Sequence, residues 1–133
     1  MSAPELVAID LTDDERLLLM HGLNEYFGAA KRSWPLLLPL LGLSTTDEFR
    51  ALTSRLMETI EDKRRLSELD WARALLLTEI CWGSELLGAG LDFASNIYDE
   101  KAMPLLRAIQ RKVSNHDRFA LLRDNAGVAA DGG

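Results

Sequence analysis

The chain has 133 residues, a formal net charge of -6 and a hydrophobic content of 47%, which predicts one folded domain rather than a disordered chain. The acidic balance argues against a general nucleic-acid binder, because such proteins usually present a dominant basic surface. Cys81 is the only cysteine, so no internal disulfide framework can form, and we expect a soluble protein of the reducing cytoplasm.

No membrane segment is expected. The N-terminal residues lack the basic and apolar stretches of a signal peptide. The longest apolar run, Leu36 to Leu43, is far shorter than the roughly 20 residues that a spanning helix needs.

The first helix has a clear start signal. Residues 1–11 carry no periodic pattern and are predicted to form a flexible N-terminal arm. Thr12 and Glu15 have the spacing of a capping box, in which each side chain accepts a hydrogen bond from the other residue's backbone amide. The apolar periodicity then continues to about Gly28.

The second and third helices differ in character. Thr45 and Glu48 form another capping box, and apolar residues at spacings of three and four predict an amphipathic helix to about Arg65. The third segment, about residues 68–88, is apolar on nearly every side. A helix of that kind is usually surrounded by other helices, so this segment is predicted to be central.

The C-terminal part of the chain completes the helical pattern. A fourth helix is predicted over about 100–113 and a short last helix over about 115–122, whereas residues 91–99 fit either a loop or a short helix. Residues 12–124 are therefore predicted to form the domain, and 125–133 a disordered tail. The fold class predicted is all-α, a single-domain bundle of four to five helices around the central apolar helix.

The segment from Trp34 to Leu43 is the first candidate for partner binding. It contains two prolines among many leucines, so a regular long helix cannot form there. We call this segment the strap. It is either a buried connector or an exposed apolar docking patch. In the second case the partner-binding side chains would be Trp34, Leu37, Leu38 and Leu41.

Charge is distributed unevenly along the chain. Residues 1–30 are strongly acidic, and residues 101–123 are strongly basic. This polarity can be satisfied within one fold, between two copies, or by an acidic partner. Arg107 and Arg111 in the basic part are therefore further candidates for partner binding.

Two polar residues fall on apolar helix faces. Glu79 lies within the apolar arc of the central helix on a helical wheel, so it is predicted to be buried and to contact an arginine or another donor. Its role is either an internal salt bridge, with Arg107 or Arg111 as partner, or a functional carboxylate in a pocket. His21, four residues before Glu25, is the second predicted buried polar residue, and a hydrogen bond is the simpler role for it.

Standard catalytic and metal-binding patterns are absent. One cysteine and two histidines cannot make a zinc pattern, and neither histidine follows a glutamate at the spacing of a di-iron site. There is no glycine-rich phosphate loop. We therefore expect no metal and no cofactor, and we do not expect an enzyme.

Two hypotheses about function follow. The first is a small acidic protein-interaction module, such as an adaptor, an inhibitor, or an immunity or regulatory protein, with a protein partner. The alternative is a helical small-molecule-binding domain or minor enzyme with Glu79 in a pocket. The sequence leaves assembly into a homo-oligomer open.

Overall fold

The structure, a computed structural model, describes residues 5–28, 30–90 and 99–127. This part of the chain forms a helical bundle with one minimal sheet, which confirms the predicted all-α class. Its helices are α1 (Asp13–Asn24), α2 (Trp34–Leu37), α3 (Thr46–Glu61), α4 (Glu68–Gly83), α5 (Asp99–Val113) and α6 (His116–Asn125). Strand β1 (Leu6–Val7) pairs antiparallel with β2 (Leu66–Ser67), and Leu6 lies opposite Ser67.

Both predicted capping boxes are present. The backbone amide of Glu15 donates to Oγ1 of Thr12 at 3.1 Å, and the amide of Thr12 donates to Oε1 of Glu15 at 2.8 Å. Thr45 and Glu48 make the equivalent pair at the start of α3. These bonds satisfy amides that have no partner inside the helix, and they fix where α1 and α3 begin.

Helix α4 is central, as the sequence predicts, because it packs against α1, α5 and α6. It is shorter than predicted and ends at Gly83 rather than near residue 88. The amides of Ala89 and Gly90 both donate to the carbonyl of Cys81 at 2.8 Å. The chain therefore turns back over the last turn of α4 instead of extending it.

The buried side of α4 carries small side chains as well as large ones such as Leu77. Ala74, Thr78 and Cys81 lie on the face toward the core, and Thr78 is 0% exposed. Gly22 of α1 explains this arrangement, since a Cβ there would lie 2.9 Å from Oγ1 and 3.1 Å from Cα of Thr78. The two helices approach so closely that only small side chains fit between them.

An aromatic group joins the strap to α3 and α4. The indole of Trp34 stacks on Phe49 with ring centroids 5.0 Å apart, and its Nε1 donates to the carbonyl of Tyr26 at 2.6 Å. The Tyr26 hydroxyl donates to the carbonyl of Leu77 in α4 at 2.6 Å. Each polar atom of this group thus has a partner inside an otherwise apolar core.

The two ends of the described chain are held to the domain. Part of the arm predicted flexible over 1–11 pairs with β2, and the carbonyl of Val7 accepts a hydrogen bond from Nε1 of Trp71 at 2.8 Å. At the other end, the amide of Gly127 donates to the carbonyl of Pro39 at 2.6 Å. Both contacts involve residues outside the predicted domain range 12–124.

Two sequence predictions fall on residues that the structure does not describe. The choice between loop and short helix over 91–99 concerns residues 91–98, since Asp99 is the first residue of α5. The predicted disordered tail over 125–133 lies outside the described residues from 128 onward.

Candidate functional site

The strap lies in the core on one side and in solvent on the other. Trp34 is 4% exposed, and Leu37 and Leu41 are also buried, so the structure does not present these three predicted partner contacts on the surface. Leu38 is half-buried. The reason is that α2 and the 3-10 turn after it give the strap a helical inner face despite its two prolines.

The outer face of the strap is apolar. Leu36 is 63% exposed and Leu40 is 44% exposed. The two leucines are four residues apart, and Pro35 and Pro39 beside them are exposed as well. The strap is thus the buried connector at its inner positions and carries a small apolar patch at its outer ones.

Glu79 is half-buried rather than fully buried. The wheel places it among large apolar residues, but the centre of the buried arc is the small-residue face at Ala74 and Thr78. Nε2 of Gln110 donates to Oε2 of Glu79 at 2.6 Å. Glu79 therefore contacts a donor, but that donor is an amide and not one of the arginines.

Arg107 reaches Glu79 only through Gln110. Its Nη1 donates to Oε1 of Gln110 at 2.7 Å, and this bond fixes which end of the amide points toward the carboxylate. Arg107 and Arg111 are otherwise exposed on α5. His21, the second residue predicted to be buried, is half-buried on α1, because the tightest part of the contact between α1 and α4 lies at Gly22.

Part of the charge polarity is satisfied inside the fold. The Nζ of Lys112, in the basic stretch, lies 2.5 Å from Oε1 of Glu15, in the acidic stretch. Arg118 lies 3.7 Å from Glu68, and its guanidinium also donates to the carbonyl of Val113 at 3.0 Å. These contacts attach α5 and α6 to the N-terminal half of the bundle.

A further concave surface lies along α3, β2 and the start of α4. It consists of two adjoining open depressions of about 690 and 720 Å³, which share Leu6, Arg55, Ser67 and Asp70. We call it the α3–β2 groove. The first depression is also lined by Glu58, Lys63, Arg64 and Arg65, and the second by Glu5, Glu68, Leu69, Arg73 and Leu121.

An ion-pair group centred on the buried carboxylate of Asp70 lines both depressions. Oδ2 of Asp70 lies 2.6 Å from Nη1 of Arg55, and its Oδ1 lies 3.0 Å from Nη1 of Arg73. Burial alone raises the pKa of Asp70, but the two guanidinium groups outweigh it and lower the pKa below its ordinary value. Asp70 is therefore neutralised locally, and it does not cancel the other positive charges of the groove.

Three consecutive basic residues follow α3 at one end of the groove. The amide of Arg64 donates to the carbonyl of Thr59 at 3.0 Å, and that of Lys63 donates to Ile60 at 3.1 Å, which is the Schellman arrangement of a helix end. Lys63 has φ = 59°, a left-handed conformation that favours glycine. A lysine thus occupies a position where the backbone alone would favour glycine.

The basic run is weakly neutralised. The Nζ of Lys63 lies 3.5 Å from Oδ1 of Asp13, and Nη2 of Arg64 lies 3.2 Å from Oδ2 of Asp62. All four side chains are more than half exposed. Exposed pairs of this kind contribute little energy because water screens them. Arg65 is exposed and forms no ion pair with the residues that the structure describes.

Sequence analysis did not identify this groove. The run Lys63 to Arg65 is a signal that could have been used, because three adjacent cations are unusual in a chain of net charge -6. The apolar side of the groove gave no such signal. It forms only when β1 pairs with β2 and brings Leu6 beside residues some 60 positions later.

Comparisons of this chain with protein-family models, with curated protein sequences and with solved structures each find no match. Within the described residues no helix has both the length and the apolar character needed to cross a membrane. Across the same residues no three histidine, cysteine, aspartate or glutamate side chains are grouped closely enough to hold a metal ion. Function is therefore inferred from the geometry of the surface.

Proposed function

We propose that the protein is a protein-interaction module, of the adaptor, inhibitor or regulatory type, whose α3–β2 groove takes an acidic, extended segment of a partner protein. The observation that carries the proposal is the groove itself, which combines an exposed basic run with exposed leucines. Its two depressions, of about 690 and 720 Å³, are open and continuous, as a polypeptide requires.

Charge complementarity supports an acidic partner. Arg55 is paired with Asp70 in the first depression, and the other charged residues there are the three cations Lys63, Arg64 and Arg65 against Glu58. The chain as a whole carries -6, so this basic end is a local exception. A local field of this sign speeds the approach of an acidic segment and opposes a basic one.

Apolar side chains supply the second part of the recognition. Leu6 is 54% exposed and Leu121 is 42% exposed, and both line the second depression together with Leu69. A leucine in a partner segment can remove these surfaces from water, which contributes roughly 25 cal/mol per Å² of apolar area buried. The proposed ligand therefore has acidic residues with an apolar anchor beside them.

A labelled synthetic peptide tests the proposal. The probe is a fluorescein-labelled peptide of glutamates with leucine at every third position, and fluorescence anisotropy measures its affinity. We expect binding that weakens as salt rises, because screening shortens the range of charge interactions to about 8 Å at physiological ionic strength. The same peptide with lysine in place of glutamate should not bind.

The two basic surfaces of the protein provide a matched comparison. Arg64→Glu with Arg65→Glu should weaken peptide binding at least about tenfold, which corresponds to about 1.4 kcal/mol. Arg107→Glu with Arg111→Glu makes the same charge change on α5 and should have little effect. If the α5 variant weakened binding and the groove variant did not, the interaction site would lie on the face of α5, and the proposed binding in the groove would be wrong.

A second pair of variants tests the apolar contacts proposed for the groove. Leu121→Ser should weaken binding, whereas Leu40→Ser removes a similarly exposed leucine on the outer strap and should not. If neither pair of variants changes affinity, binding is not located in the groove and the proposal fails. A small-molecule function is favoured by a different feature, the cavity beside Glu79.

A further inference from the structure

A second concave site lies between α4, α5 and α6. It is a cavity of about 190 Å³, and Glu79 lies at its edge. Its walls are apolar and include Leu75 and Leu76 of α4, Val113 of α5, and Phe119 and Leu122 of α6. We call it the Glu79 cavity, and it shares no lining residue with the α3–β2 groove.

The cavity exists because α6 covers α4 incompletely. No residue of α6 is fully buried, and Phe119 is 57% exposed although its helix packs against α4. Close packing is the normal state of a helix interface, and it leaves few voids larger than a water molecule. An open apolar space at this contact is therefore available to a ligand.

Glu79 has hydrogen-bonding capacity left over. A carboxylate can accept about four hydrogen bonds, and Glu79 accepts one, from Gln110. The bond uses Oε2, and no other residue of the described chain donates to this side chain. The remaining acceptor positions of Glu79 lie at the rim of an apolar cavity. A ligand that enters the cavity with a hydrogen-bond donor would lose its contacts with water there, and the carboxylate could replace them.

Arg118, the cation among the lining residues, is partly engaged, and its buried Nε has no hydrogen-bond partner within the described residues. Nη1 of Arg118 donates to the carbonyl of Val113 at 3.0 Å, and Nη2 lies 3.7 Å from Oε1 of Glu68. Two of the three guanidinium nitrogens of Arg118 thus point to the C-terminal end of α5 and to an acid outside the cavity. Glu79 is the acidic residue of the lining, and it is the group that a ligand amine would contact.

We propose that the Glu79 cavity binds a small apolar amine, with one aromatic ring or branched alkyl group among the leucines and its protonated amine on the carboxylate of Glu79. The size fits, because a cavity of roughly 150 Å³ is enough for benzene. At about 190 Å³ the Glu79 cavity has room for one ring and a short aminomethyl group. This site is independent of the groove and of any protein partner.

The probes are benzylammonium, benzyl alcohol and benzoate, which share a ring and differ in the charge of the attached group. Backbone amide chemical shifts of the full chain report binding and its location. We expect benzylammonium to bind with a Kd on the order of 1 mM, as suits a ligand of so few atoms. The shifts should be concentrated at Val113, Asn115 and Phe119, with benzyl alcohol weaker and benzoate without effect.

Two variants distinguish the contribution of the Glu79 carboxylate to binding from that of the apolar walls. Glu79→Gln should weaken benzylammonium about tenfold while leaving benzyl alcohol unchanged. Ala72→Leu, which places a larger side chain in the cavity wall, should abolish the binding of both. Glu61→Gln makes the same change at an exposed glutamate of α3 that lines neither the groove nor the Glu79 cavity, and it serves as the control.

Each result bears on the proposal. Equal affinity for benzylammonium and benzyl alcohol, or no loss in Glu79→Gln, would overturn the role of the carboxylate. Shifts outside α4 to α6, or no shift with any probe, would overturn the site. A melting temperature recorded for each variant shows that the loss of binding is not a loss of folding.

Discussion

The ammonium of Lys112 lies 2.5 Å from Oε1 of Glu15, the same oxygen that accepts the amide of Thr12 at the start of α1. Glu15 is only 3% exposed, so the capping box of α1 is also the site where α5 is attached to it. Burial raises the pKa of Glu15, but the hydrogen bond and positive charge of Lys112 and the hydrogen bonds from Thr12 outweigh that effect and lower the pKa below its ordinary value.

Acid should therefore destabilise the fold. The pKa values of Glu15 and Asp70 are lower in the folded protein than in the unfolded chain, so the unfolded chain binds protons first as pH falls. Their contribution is complete well above pH of about 4 and is lost as pH falls below that value. Urea unfolding between neutral pH and pH of about 3 measures the loss.

The buried and the exposed capping box can be compared directly. Glu15→Gln should lower the free energy of unfolding at neutral pH by about 1–3 kcal/mol, because it leaves Lys112 without its carboxylate. It should also reduce the slope of stability against pH. Glu48→Gln alters the exposed box of α3 and should have a smaller effect. Equal losses in both variants would contradict the role of the buried contact.

Trp34→Ala should be strongly destabilising. The indole stacks on Phe49 and donates to the carbonyl of Tyr26, so truncation leaves a cavity and an unpaired carbonyl. Removal of a buried aromatic side chain typically costs about 3–5 kcal/mol. Leu36→Ala, on the outer face of the same strap, should change stability by less than about 0.5 kcal/mol. Chemical denaturation of both variants measures the difference, and a mild Trp34→Ala would place the strap outside the core.

Gly22→Ala should destabilise the protein, although alanine is the better helix former by about 1 kcal/mol. The new Cβ would meet Thr78 at 2.9 Å from Oγ1, which forces α1 and α4 apart. Thr78→Ala removes that atom, so the double variant should recover at least about 1 kcal/mol of the loss. A double-mutant cycle in urea measures this coupling.

Gly83 is the control for that cycle. It is the last residue of α4, and a Cβ there would contact nothing within 4 Å. Gly83→Ala should be neutral or slightly stabilising, and it should show no coupling to Thr78→Ala. Additive effects of Gly22→Ala and Thr78→Ala would mean that the helices do not meet at these residues.

Lys63→Gly should stabilise the fold. Lys63 is the only non-glycine residue with positive φ in the described chain, and its left-handed conformation costs about 1 kcal/mol relative to glycine. Thermal unfolding should show a gain of about 0.5–1 kcal/mol. Arg64→Gly, one residue later, should show no gain. Peptide binding to the groove should weaken in Lys63→Gly, so stability and binding would change in opposite directions.

The sequence predicts those parts of the fold that have local signals. The capping boxes at Thr12 and Thr45 need only residues three positions apart, and the position of α4 at the centre follows from its composition. The side of α4 that faces the core could not be read from its own sequence. Gly22 of α1 sets that side through its close approach to Thr78.

The candidate sites depend on contacts that are distant in sequence. The strap was identified, but which of its leucines face inward depends on the docking of its inner face against Phe49. The basic half of the groove is visible at Lys63 to Arg65, whereas its apolar half needs the pairing of β1 with β2. The sequence places Glu79 on an apolar arc, but it does not indicate that the partner of Glu79 is Gln110 on another helix.

The bond from Lys112 to Glu15 joins residues 97 positions apart, and Nδ2 of Asn125 donates to the carbonyl of Leu41 across 84 positions. During synthesis the ribosome therefore exposes α1 and the strap long before the residues that secure them exist. Folding rates fall as such long-range contacts come to dominate. We expect this bundle to fold more slowly than a helical protein with neighbour-to-neighbour contacts, and to complete its core only after α5, which carries Lys112 and the core residue Val113, has left the ribosomal exit tunnel.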